Sequence, residues 1–275
     1  MGDPDLPAVD ILRGEGVAIV AGSVTDLAGV TRAKYVPLSR LGAFTRSGMG
    51  VSPSWSVFCV DSGIAFTPTI GVAGDLRIRI DAEDLRVIEA GVAWAPGVLT
   101  DQYGEPAALC TRTRLALAER AAADRGLAVK MGAELECTML AADAGPATSE
   151  PWSPYGIRTS LDRSAFLVDL ATSAERAGLS VEQLHTEYGH DQLEMSLAPD
   201  TPVATADAVI LARIVLSRVA SRHGLRISFS PVPFDGAAGN GAHLHLSLSD
   251  ADGPLLSGGD GPHGLRADGA HAVSY

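Results

Sequence analysis

Apolar and polar positions alternate in short stretches near the start of the chain and recur at helical spacing in longer stretches beyond. Leu76, Ile78 and Ile80 alternate with Arg77 and Arg79, the two-residue period of a strand buried on one face. Residues 17–20 form a short apolar strand, residues 26–30 read as a turn leading into another, and residues 55–60 read as a further strand. Pro96 and Gly97, followed by Asp101, Gln102, Tyr103 and Gly104, supply turn chemistry. They set an expected border between a β-rich domain over residues 1–103 and a second domain over residues 104–275.

In the second region one unit recurs: an amphipathic helix ending in Gly-Leu, then a strand. The first helix is expected near residues 112–125, stopping at Gly126 and Leu127. The second starts at an Asp162 cap, carries Phe166, Leu167, Leu170 and Ala174 on one face, and stops at Gly178 and Leu179. The third starts near Thr205, spaces Val209, Ala212, Leu216, Val219 and Ala220 helically, and stops at Gly224 and Leu225. Glycine suits the left-handed residue just past a helix, and the following apolar residue covers the helix end. Residues 250–270, rich in Gly and Asp, read as a surface loop, and residues 271–275 end the chain without a closing element.

Each helix stop is followed by residues that could ligate metal. Glu134 and Glu136 alternate with apolar neighbours; Glu187 to Glu194 reads Glu-Tyr-Gly-His-Asp-Gln-Leu-Glu; and Gly239, Asn240 and Gly241 precede His243, His245 and Ser247 at alternate positions. Alternate strand residues share a face. Carboxylates and imidazoles gathered on one wall repel and desolvate one another unless cations neutralise them. Taken singly, each cluster has a plainer reading: a solvent-facing strand edge, a polar hairpin, a structural His pair. Taken together they point to metal, and carboxylate-rich ligation favours Mg²⁺ or Mn²⁺ over zinc. A zinc hydrolase built on His243 and His245 lacks an obvious third nitrogen or sulfur ligand.

Composition narrows the picture. With 46% hydrophobic residues and a formal net charge of −12 over 275 residues, the chain suits a soluble globular protein of one large core or two domains. Acidic balance without a Lys/Arg cluster argues against nucleic acid as partner. No apolar run approaches the ~18 residues of a membrane span, and the N-terminus lacks the basic and apolar regions of a secretory leader. Cys59, Cys110 and Cys137 are widely spaced with no CxxC, so neither a disulfide scaffold nor a zinc knuckle is expected, and the default compartment is the reducing cytoplasm.

The order of the three clusters resembles the glutamine synthetase family over nearly the whole chain. The resemblance implies an α+β fold: an N-terminal β-grasp domain, then a catalytic domain with a curved antiparallel sheet and flanking helices. Family sites are completed by neighbouring subunits, so a homo-oligomer is implied, a ring-stacked dodecamer in the full-length form. Carried over by motif, Glu136, Glu187 and Glu194 hold one divalent ion, and Glu134 and His243 a second beside the nucleotide phosphates. His245 and Ser247 contact ATP, with Glu182 as a further nucleotide contact, and Gly239 sits at a glutamate-binding backbone position. Asp61 falls where the family has an Asp that serves the neighbouring subunit's ammonium site, and Tyr155 at another ammonium-site position.

Two departures accompany this. Ala238 stands where the family has Asn before the glutamate-contacting Gly. The family's arginine-rich C-terminal segments and the last ligand of the second metal have no counterpart in the chain, which reads as a C-terminally truncated copy, inactive alone. The implied chemistry is ATP-dependent joining of glutamate to an amine through γ-glutamyl phosphate. Residues 50–55 and 231–234 look more like the divergent actinobacterial branch that includes γ-glutamylpolyamine synthetases, so an organic amine, such as a polyamine, is favoured over ammonia. The rival readings are an ammonia-using glutamine synthetase and a catalytically silent member acting as scaffold or regulator.

Overall fold

The structure, a computed structural model, describes residues 7–68, 71–267 and 269. The expectation for residues 271–275 lies outside them. The chain divides into two units, Met1–Leu117 and Ala118–Tyr275.

The first unit contains helices α1 (Pro7–Gly14) and α2 (Leu41–Arg46) and strands β1 (Ile19–Thr25), β2 (Thr31–Pro37), β3 (Met49–Val51), β4 (Leu76–Ile80), β5 (Arg86–Glu89) and β6 (Val92–Asp101). The sheet order is β2-β1-β6-β4-β3, with β5 also on β6. β1 and β6 run parallel; the other pairs are antiparallel. Alternation in β4 does what the sequence pattern demands: Ile78 and Ile80 are buried while Arg77 and Arg79 are partly exposed. They join Val20, Leu41 and Phe44 in an apolar core, where each fully buried aliphatic or aromatic side chain contributes about 1.5–3 kcal/mol. Gly22 of β1 lies so close beneath Phe44 and Ile80 that any Cβ there would collide with them.

Two expectations fail in this unit. Residues 55–60 are not a strand: Pro53–Ser56 is a 3-10 turn, capped by the Ser52 hydroxyl accepting from the Ser54 amide, and only an isolated bridge follows at Phe58. Proline pre-sets the helical φ at the first position of such a turn, overriding the apolar run behind it. Pro96 and Gly97 do not form a turn but lie inside β6, where Gly97 lets β4 pass close, because a Cβ would sit 2.8 Å from Ile78. The turn chemistry of residues 101–104 is realised, with Gly104 N–H donating to Asp101 O at 3.2 Å and Gly104 at φ 95°.

Helix α3 (Thr111–Ala123) leads to β7 (Ala128–Leu140); then come α4 (Ile157–Asp162), α5 (Ser164–Arg176), β8 (Val181–Thr186), β9 (Gln192–Asp200), α6 (Pro202–Arg222), β10 (Arg226–Ser228), β11 (Ala242–Asp250) and β12 (Gly253–Pro254). All pairings in the second sheet are antiparallel, in the order β12-β11-β7-β9-β8 with β10 on β7. Asp162 does not cap a helix; it ends the short α4, and α5 begins after Arg163. α6 starts earlier than the hydrophobic spacing suggested, because Thr201 precedes a proline at the first helical position.

The three Gly-Leu stops share one geometry. Gly126, Gly178 and Gly224 have φ of 75°, 73° and 70°. Leu127, Leu179 and Leu225 donate their amides back to Ala122, Ala174 and Ala220, satisfying carbonyls that the helix end would orphan. The helices thus end where the second sheet needs its strands to begin. One face of that sheet is apolar: Leu135, Cys137 and Met139 of β7 and Leu193, Met195 and Leu197 of β9 are buried, as are Leu170 of α5 and Val215, Leu216 and Val219 of α6. α5 packs on β8, and α6 on β7 and β9. Burial holds the Cys137 thiol up at about 12, with Glu136 adding to the shift, so it is an inert core residue. The opposite face of the sheet is the polar one.

Candidate functional site

Strand register gathers the sequence clusters into rows. Glu136 pairs with Glu194, Glu194 in turn with His185 of β8, and Glu134 with His243 of β11. Cross-strand partners point to the same face, so these side chains project from one wall. His245 is two residues beyond His243 on that face, and its Nε2 lies 3.3 Å from Glu134 Oε1 while His243 Nδ1 lies 3.2 Å from Glu134 Oε2.

Among the described residues, two groups have the composition and spacing to hold a cation: Glu134, Glu194 and His243; and His185, Glu187 and Glu194, with candidate ligand atoms within 4.8 Å of one another in each. Glu194 belongs to both. Two carboxylate charges that close repel by about 3 kcal/mol at an effective dielectric of ~20, more than the ~1 kcal/mol returned by a typical hydrogen bond. Burial lifts the Glu194 carboxyl above its ordinary range, and Glu134, Glu187 and Glu136 lift it further against the pull of His185. Its nearest support is weak: Ser196 Oγ at 3.5 Å and His185 Nε2 at 3.4 Å. His185 Nδ1 is buried without a hydrogen-bond partner, although Glu187 Oε1 lies 3.5 Å away. Crowded acids and an orphaned imidazole nitrogen are the donor set that a hard divalent cation satisfies; the residues fit such an ion.

Glu187 is 8% exposed and is fixed from two sides, its Oε2 accepting from Tyr155 Oη at 2.8 Å and from the Tyr188 amide at 2.7 Å. The hydrogen bond to Glu187 raises the Tyr155 phenol, helped by desolvation and by the neighbouring acids. Tyr155 is therefore part of the cluster, held at φ 56°. Glu136 is occupied differently: its Oε2 accepts from Gln192 Nε2 at 2.7 Å and from the Gly241 amide at 2.8 Å. A Cβ at Gly241 would meet Glu136 Oε1 at 2.5 Å and push that carboxylate aside. Gly239 is similarly constrained against Pro231 O, and its own carbonyl accepts from Gln192 Nε2 at 2.8 Å.

The remaining expected residues belong to neither cation-holding group. Ser247 is exposed, paired with Lys130 along β11. Glu182 is exposed at an irregularity of β8 and lines a separate hollow with Ala171 and Glu175 of α5. Asp61 belongs to the first unit, in an exposed turn where its Oδ1 accepts the Gly63 amide at 2.9 Å.

Sequence reading missed His185 and the part played by Gln192. Both were within reach: His185 stands two residues before Glu187, and Gln192 two before Glu194, the same alternation that singled out the acids. Asp191 was also missed. It is 1% exposed and at φ 59°, accepting from the Ala147 and Thr148 amides and from Arg163 Nη2. It braces the turn between Glu187 and Glu194, a role that long-range contacts define and local sequence does not.

Comparison with known proteins identifies the family. Residues 108–274 match the family model for the glutamine synthetase catalytic domain. The chain is 37% identical over 272 residues to the γ-glutamylpolyamine synthetase GlnA3 of Streptomyces coelicolor, covering 96% of this chain and 58% of that protein. It is 31% identical to a glutamine synthetase of Rhizobium leguminosarum, covering 90% of this chain and 56% of that enzyme. A crystal structure of a glutamine synthase homologue superposes with a TM-score of 0.85 at 32% identity, over 93% of this chain and 61% of that one. The chain thus spans little more than half the length of the curated relatives it matches. By its matching family model, its shared fold and the placement of its acidic strands, the chain belongs to the glutamine synthetase family.

Proposed function

We propose that the protein is part of an ATP-dependent γ-glutamyl ligase that joins glutamate to an amine through γ-glutamyl phosphate, with an organic amine, polyamines included, as acceptor. The observation that carries this reading is the convergence of Glu134, Glu187, Glu194, His185 and His243 on one wall, with Glu194 held above its ordinary range by burial beside other acids. The relatives support the reaction class, and the 37% identity to a γ-glutamylpolyamine synthetase supports the organic acceptor. An ammonia-using reaction is the second reading, favoured by the match to glutamine synthetases.

Glu136, Glu187 and Glu194 are the proposed ligands of one Mg²⁺ or Mn²⁺, and Glu134 and His243 of a second; the place of His185 beside Glu187 and Glu194 supports it as a further ligand. Bound there, divalent ions supply positive charge to the phosphoryl group being transferred. The chain's own contribution is positioning. Gln192 and the Gly241 amide hold Glu136 in place, and Tyr155 with the Tyr188 amide orients Glu187. We assign His245, Ser247 and Glu182 to the nucleotide, Gly239 to glutamate, and Tyr155 to the acceptor nitrogen. Glu187, hydrogen-bonded to Tyr155, can take a proton from the bound ammonium group, freeing the amine lone pair that then attacks the γ-carbonyl of γ-glutamyl phosphate and displaces phosphate. Asp61 is assigned to the site of a neighbouring copy in a ring-stacked homo-oligomer. The same reading takes residues 1–103 as a β-grasp domain and residues 104–275 as part of the catalytic domain, in a cytoplasmic protein.

The test is phosphate release by the full-length protein with ATP, glutamate and a set of amines. Faster turnover with putrescine or a related amine than with ammonium is expected; equal or faster turnover with ammonium contradicts the organic acceptor. A silent scaffold would release no phosphate with any of them and would bind no Mn²⁺.

A further inference from the structure

Along β7 and β9, the pair next to Glu136 and Glu194 is Thr138 opposite Gln192. There the acidic wall gives way to a cavity of about 500 Å³, within the usual range for a small-molecule site. Pro146, Thr148, Pro233, Phe234, Ala237 and Ala238 line it beside that pair. The cavity and the acids share the turn between β8 and β9: Glu187 begins it, Gly189, His190 and Asp191 face the cavity, and the Glu187 amide closes it onto Gln192 O at 2.9 Å.

The ionisable and amide side chains at the lining are already engaged. Asp191, the only carboxylate among the lining residues, has Oδ2 accepting from the Ala147 and Thr148 amides and 3.1 Å from His190 Nδ1, while Oδ1 accepts from Arg163. His190 Nε2 lies 3.2 Å from Glu150 O. Gln192 Nε2 donates to Glu136, Gly239 O and Asn240 Oδ1, and its Oε1 accepts from the Gly189 amide. Thr138 Oγ1 donates to Asn240 Oδ1, and Thr148 Oγ1 accepts from the Glu150 amide. A cation in this space would lose much of its water and meet no carboxylate among the lining residues other than the already paired Asp191, whereas a hydrocarbon chain would lose nothing. Ala238 contributes to this character with a methyl group where the family resemblance leads to an amide.

We propose that the cavity receives the hydrocarbon portion of the acceptor amine, so that the site selects monoamines carrying a short apolar chain over both ammonium and diamines. The proposal rests on the γ-glutamyl ligase reading and ranks its acceptors: diamines and polyamines remain acceptors better than ammonium, but weaker ones than monoamines of equal carbon length. The acceptor nitrogen stays with Glu187 and Tyr155 at the start of the turn, and the alkyl group extends along Gln192 towards Pro146 and Phe234.

The test is calorimetric titration of the full-length protein, with phosphate release followed in parallel, using ammonium, methylamine, ethylamine, n-butylamine and putrescine. Affinity should rise about fourfold per buried methylene up to n-butylamine, and putrescine should bind at least tenfold more weakly than n-butylamine. Ala238→Phe, which fills the cavity, should remove the chain-length dependence. Ala238→Asn, a smaller change that keeps the turn in case the larger one unfolds it, should flatten it by several fold. Equal affinity along the series, or tighter binding of putrescine, overturns the cavity assignment even if phosphate is released with every amine. Absence of phosphate release with any amine, alongside rising affinity for longer chains, would instead sink the ligase reading and leave the apolar site standing.

Discussion

Asp26 in the first unit and Glu194 in the second are both buried carboxylates, 6% and 7% exposed, yet their surroundings could hardly differ more. Asp26 closes the turn between β1 and β2: Oδ1 accepts the Ala28 and Val30 amides and Oδ2 meets Arg32 Nε at 2.8 Å. The charge of Asp26 is answered by the chain itself. Glu194 faces Glu134, Glu136 and Glu187, with one imidazole at 3.4 Å in support. Burial alone therefore does not mark a functional acid; burial without sufficient compensation does. The first unit spends its buried carboxylate on holding a turn, and the second leaves its own to be compensated by something bound.

Substitution at the two acids should separate these roles. Glu194→Gln should lower Mn²⁺ affinity by at least about a hundredfold, at or beyond the upper end of what losing a ligand's outer-shell partner costs, while leaving the metal-free protein at least as resistant to urea as before. Asp26→Ala should do the opposite: unfolding free energy falls by about 3 kcal/mol because Arg32 loses its buried partner, with little change in metal affinity. If Glu194→Gln unfolds the protein without affecting metal binding, the contrast between the two acids collapses. His185→Ala comes next, with an expected loss of about tenfold in Mn²⁺ affinity; unchanged affinity would remove His185 from the ligand set.

The contrast also predicts opposite pH responses. The Glu194 carboxyl is raised, so without metal its contribution to stability is fully present below the ordinary value of 4.5 and is lost as pH rises through the raised one. Wild type should therefore lose more thermal stability than Glu194→Gln as pH climbs above 4.5, and saturating Mn²⁺ should cancel the difference. Identical pH profiles would show that the acids are not crowded in solution. The smallest effect belongs to Asp169 of α5, held down at about 2 chiefly by Arg222. Its contribution is present above pH 3.8 and fades as pH falls towards 2, so the urea-midpoint difference from Asp169→Asn should be small at neutral pH and shrink in acid.

The same contrast decides what could be read from sequence. The second unit was legible because its signals are local. Three Gly-Leu helix stops and the alternation of Glu134 with Glu136 and His243 with His245 survive in any context, since a left-handed residue just past a helix favours glycine and a strand repeats every second residue. Asp191 was not legible as a site residue: its partners Arg163, Ala147 and Thr148 are distant in sequence. In the first unit the apolar run 55–60 looked like a strand, but Ser52 and Pro53 had already fixed a helical turn, and Pro96-Gly97 looked like a turn although β4 needed a close neighbour there. Both misreadings share a cause. Proline and glycine mark special backbone conformations, but only tertiary packing says which one.

The most direct measurement is calorimetric titration of the full-length protein with Mn²⁺, wild type beside Glu136→Ala and Glu194→Gln. Saturable binding of two ions per chain in the wild type, weakened in both variants, is the predicted result. A wild type that binds no ion, or variants that bind as tightly as it does, would contradict the account.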